Sequence, residues 1–171
     1  MATRLHCCRR SAVARLAIST PADVRLLQEG LSFGEGLAGF NAAHDLAGGV
    51  ASFVGKVRPD NDVKALELTY YEPLTLPGMQ SLAESALDRF SLDGLLIWHR
   101  VGVLTPGEGI VLVAAAATHR RDAIQAVDFA MDHLKSRAWF WKRERRFDGQ
   151  KTEWHWIEPR EQDYADIARW S

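Results

Sequence analysis

The stretch THRRDAIQAVDFAMDHLKSRAWFWKRERRFDGQKTEWHWI, residues 118–157, holds the two clearest structural signals of the chain. Thr118 is a suitable N-cap for a helix whose apolar side chains recur every three or four residues, the spacing of one helical face. Asp148-Gly149 then separates two runs, 139–147 and 150–157, and an Asp-Gly pair between such runs is a strong hairpin signal. The stretch therefore predicts a helix followed by a β-hairpin, and the apolar stripe of the helix comprises Ile124, Val127, Met131, Leu134 and Ala138.

The remaining segments predict strands and one further helix. The polar link between the runs 50–57 and 63–71 is expected to make them a hairpin, and the glycine-rich segment 30–39 is expected to form turns. After Pro77, helical spacing of apolar residues from Met79 to Phe90 predicts the other helix. Strands are expected where apolar, β-branched or regularly alternating residues occur, at 24–27, 50–57, 63–71, 95–101 and 110–117.

Length and composition fit one soluble domain. The chain has 171 residues, 47% of them apolar, with 21 Lys and Arg against 22 Asp and Glu. These proportions exclude a disordered or collagen-like chain, and the longest apolar run, 110–117, is too short to span a bilayer. No repeat or second domain boundary is evident. The predicted fold class is a single α+β domain, residues 23–171, with a mostly antiparallel sheet and a C-terminal β-hairpin.

The cysteines and the short motifs exclude several classes of protein. Cys7 and Cys8 are adjacent and cannot join distant parts of a fold by a disulfide, so we expect an intracellular, cytoplasmic protein. No Cys cluster or close His pair predicts a zinc site, and no GxxxxGK loop predicts a nucleotide site. We therefore predict neither a metal nor a cofactor.

Charge is unevenly distributed, although the net charge is only −1. Residues 1–22 carry +4 and are expected to form a basic, flexible N-terminal extension outside the fold. Residues 133–147 carry +5, which leaves −10 for the rest of the chain. A short basic block in an otherwise acidic protein is a candidate anion-binding site.

Two lysines of this basic block are candidates for chemistry. Lys135 borders the apolar helix stripe, and a lysine beside apolar surface can lose hydration until its neutral amine acts as a base or nucleophile. In the alternative, which is the commoner arrangement, its stem covers the edge of the core while the ammonium stays hydrated. Lys142 lies in a run of alternating aromatic and cationic residues, 139–144. Such a run can bind single-stranded nucleic acid, or it can be a strand whose aromatic face packs inward.

Other cations lie at the ends of predicted elements. His119 and Arg120 follow the helix cap, where free backbone N–H groups and the helix dipole favour an anion. Capping and surface charge explain them equally well, and Arg58, after the strand 50–57, has the same two explanations. His99 is expected to be a hydrogen-bonded histidine of the core or of an interface.

Four segments taken together resemble the catalytic (large) subunit of molybdopterin synthase. Their order and spacing match that family from about Val24 to Trp170, and the lysine segment preceded by the His-Arg pair is the most specific part. The resemblance implies an α/β-hammerhead fold. The segments are SFVGKVR at 52–58, HRVG at 99–102 with PGE at 106–108, THR at 118–120, and LKSRAWFWKRE at 134–144.

The resemblance also implies an activity and partners. It implies a homodimer within a heterotetramer that holds two copies of a small ubiquitin-like carrier with a Gly-Gly C-terminus. The carrier's thiocarboxylate would supply sulfur to convert cyclic pyranopterin monophosphate (precursor Z) into molybdopterin, and no membrane or nucleic-acid partner is then expected. Lys135 and Lys142 match the family's catalytic lysines. The positions that match its substrate site are Phe53, Lys56, Val57, Arg58, His119, Arg120, Arg143 and Glu144.

We therefore form the hypothesis that Lys135 is the principal catalyst and Lys142 its electrostatic and proton-transfer partner. Cations would offset the phosphate and the thiocarboxylate, and arginine suits phosphate through its fork of donors. Sixteen helical steps from His119 to Lys135 span about 24 Å, too far to share a small ligand. We thus expect His119 and Arg120 to come from the other subunit of the dimer.

Two alternatives from other functional classes are kept. One is a nucleic-acid-binding module without enzymatic activity, which would use the basic and aromatic hairpin and bind in a salt-dependent manner. The other is a subunit that binds the carrier without turnover, although the presence of both lysines argues against it.

Overall fold

The computed structural model describes residues 21–30, 32–60, 62–137 and 139–171, which form an α+β fold. The predicted extension, residues 1–22, lies outside the described residues except for Pro21 and Ala22. The elements in these ranges are β1 (Ala22–Leu27), α1 (Phe33–Ala43), β2 (Gly49–Lys56), β3 (Val63–Tyr70), α2 (Glu72–Arg89), β4 (Leu92–Arg100), β5 (Gly102–Leu104), β6 (Gly109–Ala117), α3 (Arg120–Ser136), β7 (Phe140–Phe147), β8 (Thr152–Ile157) and α4 (Glu161–Ala168). None of the described helices combines the length and the apolar composition needed to cross a bilayer.

The first sheet has the strand order β1-β4-β6-β2 and forms the centre of the molecule. β1 runs parallel to β4, and the other pairs are antiparallel. Residues 111–117 of β6 are all buried, because helices cover both faces of this sheet. Val111, Val113 and their alternate neighbours pack with residues of α2 and α3, while Leu112 and its alternates pack against Phe40 of α1.

The second sheet has the order β5-β3-β7-β8 and is antiparallel throughout. The predicted hairpin is confirmed: β7 pairs with β8, and Gly149 in the connecting turn has a φ of +96°, a conformation that favours glycine. The register sets Lys142 opposite Leu68 on β3 and opposite Ile157 on β8. The single sheet expected from the sequence is thus two sheets.

The long helix α3 is confirmed, with differences at its two ends. Val127, Met131 and Leu134 are buried as predicted, but Ile124 is 57% exposed because the buried face near the start of the helix runs through alanines. Ala138, the last predicted position of the stripe, lies outside the described residues. The N-cap is His119 rather than Thr118, and it makes no side-chain capping hydrogen bond.

The predicted hairpin of 50–57 with 63–71 is wrong. β2 pairs with β6 in the first sheet, whereas β3 pairs with β5 and β7 in the second. The link between them therefore passes from one sheet to the other instead of turning back. Its start is fixed at Val57, whose N–H donates to the carbonyl of Glu108 at 2.9 Å and whose carbonyl accepts from Gly107 at 2.8 Å.

The helices also depart from the sequence expectations. The glycine-rich segment 30–39, expected to form turns, contains most of α1, which is capped by the Ser32 hydroxyl and packs Phe40 into the core. α2 begins at Glu72, before Pro77, and its first turn is held by the buried Thr75 hydroxyl, which donates to the carbonyl of Trp139 at 2.8 Å. α4 was not predicted.

Replacement of Gly36 by Ala should destabilise the fold, whereas the same change at Gly39 should not. A Cβ at Gly36 would lie 2.6 Å from Cζ3 of Trp98 and 3.0 Å from Cδ2 of Leu112, and a Cβ at Gly39 would meet nothing within 4 Å. Overpacking of this kind costs about 1–3 kcal/mol, while an alanine in place of an unobstructed helical glycine gains about 0.5–1 kcal/mol. Urea denaturation of both variants measures the difference, and equal stabilities would contradict the close packing of α1 on the sheet.

Candidate active site

Lys142 is the lysine that the fold partly buries. It lies in β7 on the face of the second sheet that also carries Leu68, its cross-strand partner. Burial lowers the pKa of Lys142, and the positive charge of Lys135 lowers it further, while the carboxylate of Asp163 in α4 opposes the change. Lys142 therefore loses its proton more readily than a fully hydrated lysine, which suits a residue that transfers protons.

Lys135 lies in the last turn of α3 and is exposed, although Leu134 beside it is buried. This position matches the alternative in which the stem covers the edge of the core and the ammonium stays hydrated. Of the two lysines, the fold therefore partly buries Lys142 and leaves Lys135 exposed. The effect of one charge on the other shows that the two lysines belong to one electrostatic cluster.

His99 lies next to this cluster in the core. Its ring stacks on Phe140 with a centroid distance of 4.0 Å, and its Nδ1 donates to the carbonyl of Arg100 at 2.7 Å. The ring is 5% exposed, and burial lowers the pKa of His99 to about 4, with the charge of Lys142 acting in the same direction. The prediction of a hydrogen-bonded core histidine is confirmed, and His99 is neutral at neutral pH.

The strand end that holds Lys56, Val57 and Arg58 packs on the same face as Lys142. Val57 is buried against Leu66 and Leu68, and Leu68 is the cross-strand partner of Lys142. Lys56 and Arg58, on either side of Val57, are exposed. These two exposed cations therefore lie next to the face that carries Lys142.

Glu144 and Arg143 lie on opposite faces of β7, because successive residues of a strand alternate. Glu144 shares the face of Lys142 and accepts from Nε of Arg146 at 2.8 Å. Arg143 pairs with Glu67 on the other face, where its guanidinium lies 4.7 Å from the ring centroid of Trp154 and 5.5 Å from that of Trp156. Within one protomer, Arg143 and Lys142 thus point to different sides of the sheet.

His119 and Arg120 lie at the opposite end of α3 from Lys135. Both are exposed and line an open cavity of about 860 Å³ with Gly48 and Thr118. Because α3 is one continuous helix of 17 residues, this cavity is separated from Lys135 by about 24 Å. Phe53 lies in β2 opposite Val113, is 40% exposed, and its ring borders Gly55, the residue before Lys56.

The structure thus brings together part of the predicted site. Lys135, Lys142, Glu144 and the segment 56–58 lie in one region, and Phe53 precedes that segment on β2. Within the same protomer, His119 and Arg120 lie at the far end of α3, and Arg143 lies on the other face of β7. Sequence reasoning missed Asp163, because α4 was not predicted, and it did not connect His99 with Lys142. His99 stacks on Phe140, two positions before Lys142, a long-range contact that no local sequence pattern indicates.

The fold and the site define an α+β protein with a lysine-centred, cationic candidate active site. Residues 27–137 match the family model described as MoaE protein. The molybdopterin synthase catalytic subunit of Caulobacter vibrioides is 44% identical over 135 residues, which cover 78% of this chain and 87% of the relative.

Solved structures agree with this match. The molybdopterin cofactor biosynthesis protein E of Burkholderia multivorans superposes with a TM-score of 0.72 and 37% identity, covering 87% of this chain and 96% of that one. A Helicobacter pylori structure, described as the protein–protein complex of subunits 1 and 2 of molybdopterin-converting factor, shares the fold with a TM-score of 0.64 at 20% identity, covering 77% of this chain and 92% of that one. The chain belongs to the MoaE family, the molybdopterin synthase catalytic subunits of molybdenum cofactor biosynthesis.

Replacement of His99 by Phe should remove part of the acid sensitivity of folding. The pKa of His99 falls from 6.5 to about 4 on folding, so the unfolded chain binds the extra proton and stability is lost as the pH falls through this window. Between pH 7 and pH 5 the wild type should lose about 2 kcal/mol more than His99→Phe. Urea denaturation at both pH values measures this, with His155→Gln, a change of an exposed histidine, as the control. An equal pH dependence of wild type and His99→Phe would contradict the burial of a neutral ring.

Proposed function

We propose that the chain transfers sulfur from the C-terminal thiocarboxylate of a small ubiquitin-like carrier to cyclic pyranopterin monophosphate, which yields molybdopterin. The observation that carries the proposal is the pair of lysines in one electrostatic cluster, Lys142 partly buried and Lys135 exposed, in a chain of the MoaE family. The match of both lysines to the family's catalytic pair supports the same conclusion.

The two lysines suit different parts of this reaction. Lys135 is exposed at the end of α3, so a carrier tail that arrives from solvent can reach it, and we assign it the role of principal catalyst. Lys142 has a lowered pKa and accepts or releases a proton as sulfur adds and the carrier carboxylate leaves. Lys56 and Arg58 beside them offset the phosphate of the pterin, since two anions must be held together.

The partner in this proposal is the carrier, bound by each subunit of a homodimer. The Helicobacter pylori structure of similar fold contains two different subunits, which supports an assembly of the same kind here. The separation of His119 and Arg120 from Lys135 along α3 supports a pocket completed across the dimer: these two residues of one protomer would contribute to the site of its partner.

The nucleic-acid alternative finds little support in the hairpin. Arg143, the cation of the hairpin that lies next to its tryptophans, already pairs with Glu67 and lies against Trp154 and Trp156. The aromatic faces that would stack on bases are therefore partly covered by the protein's own guanidinium. Binding of single-stranded RNA that falls steeply with salt would favour this alternative over the synthase.

Replacement of Lys135 by Ala should abolish product formation without preventing carrier binding. The variant is combined with a thiocarboxylated carrier and precursor Z, and the dithiolene product is measured; carrier binding is measured separately by calorimetry. Lys151→Ala, which removes an exposed lysine at the far end of the hairpin, is the matched control and should react at the wild-type rate. Near-normal turnover by Lys135→Ala would rule out its catalytic role.

Mixed dimers test the shared pocket. A dimer with Lys135→Ala in one subunit and His119→Ala in the other should hold one intact pocket, because both changes fall in the other pocket. Random 1:1 mixing makes half of the dimers mixed, so activity should recover to about a quarter of the wild-type value. An absence of recovery in dimers verified by differential tags would show that His119 and Lys135 do not act across the interface.

A further inference from the structure

The turn between β5 and β6, residues 105–108, is organised around one carboxylate. Glu108 accepts from the backbone N–H of Thr105 at 2.6 Å, from the Thr105 hydroxyl at 2.9 Å and from Nη1 of Arg100 at 3.1 Å. The Thr105 N–H, the Thr105 hydroxyl and Arg100 together hold the pKa of Glu108 below its usual range. The carboxylate is therefore ionised at neutral pH and fixes the turn at both ends.

Arg100 is an unusual partner for a turn on the surface, because its side chain is only 8% exposed. Its Nε has no hydrogen-bond partner among the residues that the structure describes. A buried guanidinium requires a compensating anion, and Glu108, whose side chain is 38% exposed, supplies that charge from the surface. The ion pair thus connects the end of β4 in the core to the turn.

The same turn holds the end of β2. The pairing of β2 with β6 becomes irregular between Gly55 and Lys56, and beyond it the backbone of Val57 is held by the turn itself. The Val57 N–H donates to the carbonyl of Glu108 at 2.9 Å, and the N–H of Gly107 donates to the carbonyl of Val57 at 2.8 Å. The positions of the residues on either side of Val57 therefore depend on the conformation of the turn.

We propose that Arg100 and Glu108 are positioning residues that fix the backbone at Val57 and thereby hold Lys56 and Arg58 in place to bind the phosphate of the substrate. The inference rests on the proposed function, since it takes Lys56 and Arg58 as the cations that meet this anion. Arg100 and Glu108 need not touch the substrate. Their effect is on substrate binding and not on Lys135 or Lys142, which lie on other elements.

The test measures kcat and KM for precursor Z in the complete synthase with a saturating thiocarboxylated carrier. Glu108→Ala should raise KM about tenfold, the loss expected when charge-assisted contacts to an anion are misplaced, and should leave kcat within about twofold. Glu108→Gln, which keeps an oxygen acceptor for the Thr105 N–H, should recover part of the loss. Glu158→Ala, which removes an exposed carboxylate after β8, is the matched control and should leave both constants unchanged.

A coupling measurement separates positioning from a general loss of structure. The double variant Lys56→Ala/Arg58→Ala should raise KM by itself, and the addition of Glu108→Ala should then cause no further increase, because no cations remain to be positioned. Additive effects on KM, or a wild-type KM in Glu108→Ala, would overturn the inference. If Glu108→Ala does not fold, Glu108→Gln and Thr105→Val, which each remove only part of the network, are measured in the same way.

Failure of the proposed function gives a different result. A wild-type KM in Lys56→Ala/Arg58→Ala would show that these cations do not bind the substrate, and the inference would then be wrong together with that part of the proposal. An increase in KM for this double variant, with none for Glu108→Ala, would contradict the inference alone.

Discussion

Partial burial of the Lys142 ammonium is the constraint on which the candidate site depends. A lysine that loses hydration favours its neutral form, and the protein must compensate wherever it keeps the charge. The surroundings of Lys142 come from separate parts of the chain: Leu68 and Ile157 flank it in the sheet, and Asp163 approaches from α4. His99, neutral in the core, adds no second charge at neutral pH. Because the neighbours of a sheet residue are fixed, the opposing effects of burial and of Asp163 on the pKa of Lys142 are also fixed, which would not hold for a side chain on a mobile loop.

The length of α3 is the second constraint. One uninterrupted helix places Lys135 at its C-terminal end and His119 with Arg120 at its N-terminal end, so one protomer cannot close a small site around all three. Alternation in β7 divides the site further, because Lys142 and Glu144 share one face while Arg143 packs between tryptophans on the other. In the proposed dimer, a second copy of α3 at the lysine cluster resolves the first separation, while Arg143 remains on the face of β7 opposite Lys142.

Local sequence patterns correctly predicted helices and hairpins formed by residues close together in the chain. They failed where contacts between distant residues determine the strand pairing or the burial. The helical stripe through Val127 and Leu134 and the Asp148-Gly149 hairpin needed no long-range information. The pairing of β2 with β6 was missed because its partner lies over fifty residues away, while the adjacent β3 offered a plausible but wrong hairpin. Residues 33–39 of the glycine-rich segment are helical because Phe40 gains burial on the sheet, which outweighs the low helix propensity of the glycines. Burial of Lys142 instead of Lys135 could not be predicted, since it depends on strands and a helix brought together only by the fold.

The titration of Lys142 tests this account most directly. Labelled lysine side chains can be followed by NMR from neutral to alkaline pH, with the signal of Lys142 assigned from its absence in Lys142→Arg. We expect Lys142 to release its proton at a lower pH than a fully hydrated lysine side chain. Relative to the wild type, the release should occur at a higher pH when Lys135 is replaced by Ala and at a lower pH when Asp163 is replaced by Asn. Titration of Lys142 at the pH of a fully hydrated lysine, unaffected by either change, would contradict the partial burial of its ammonium.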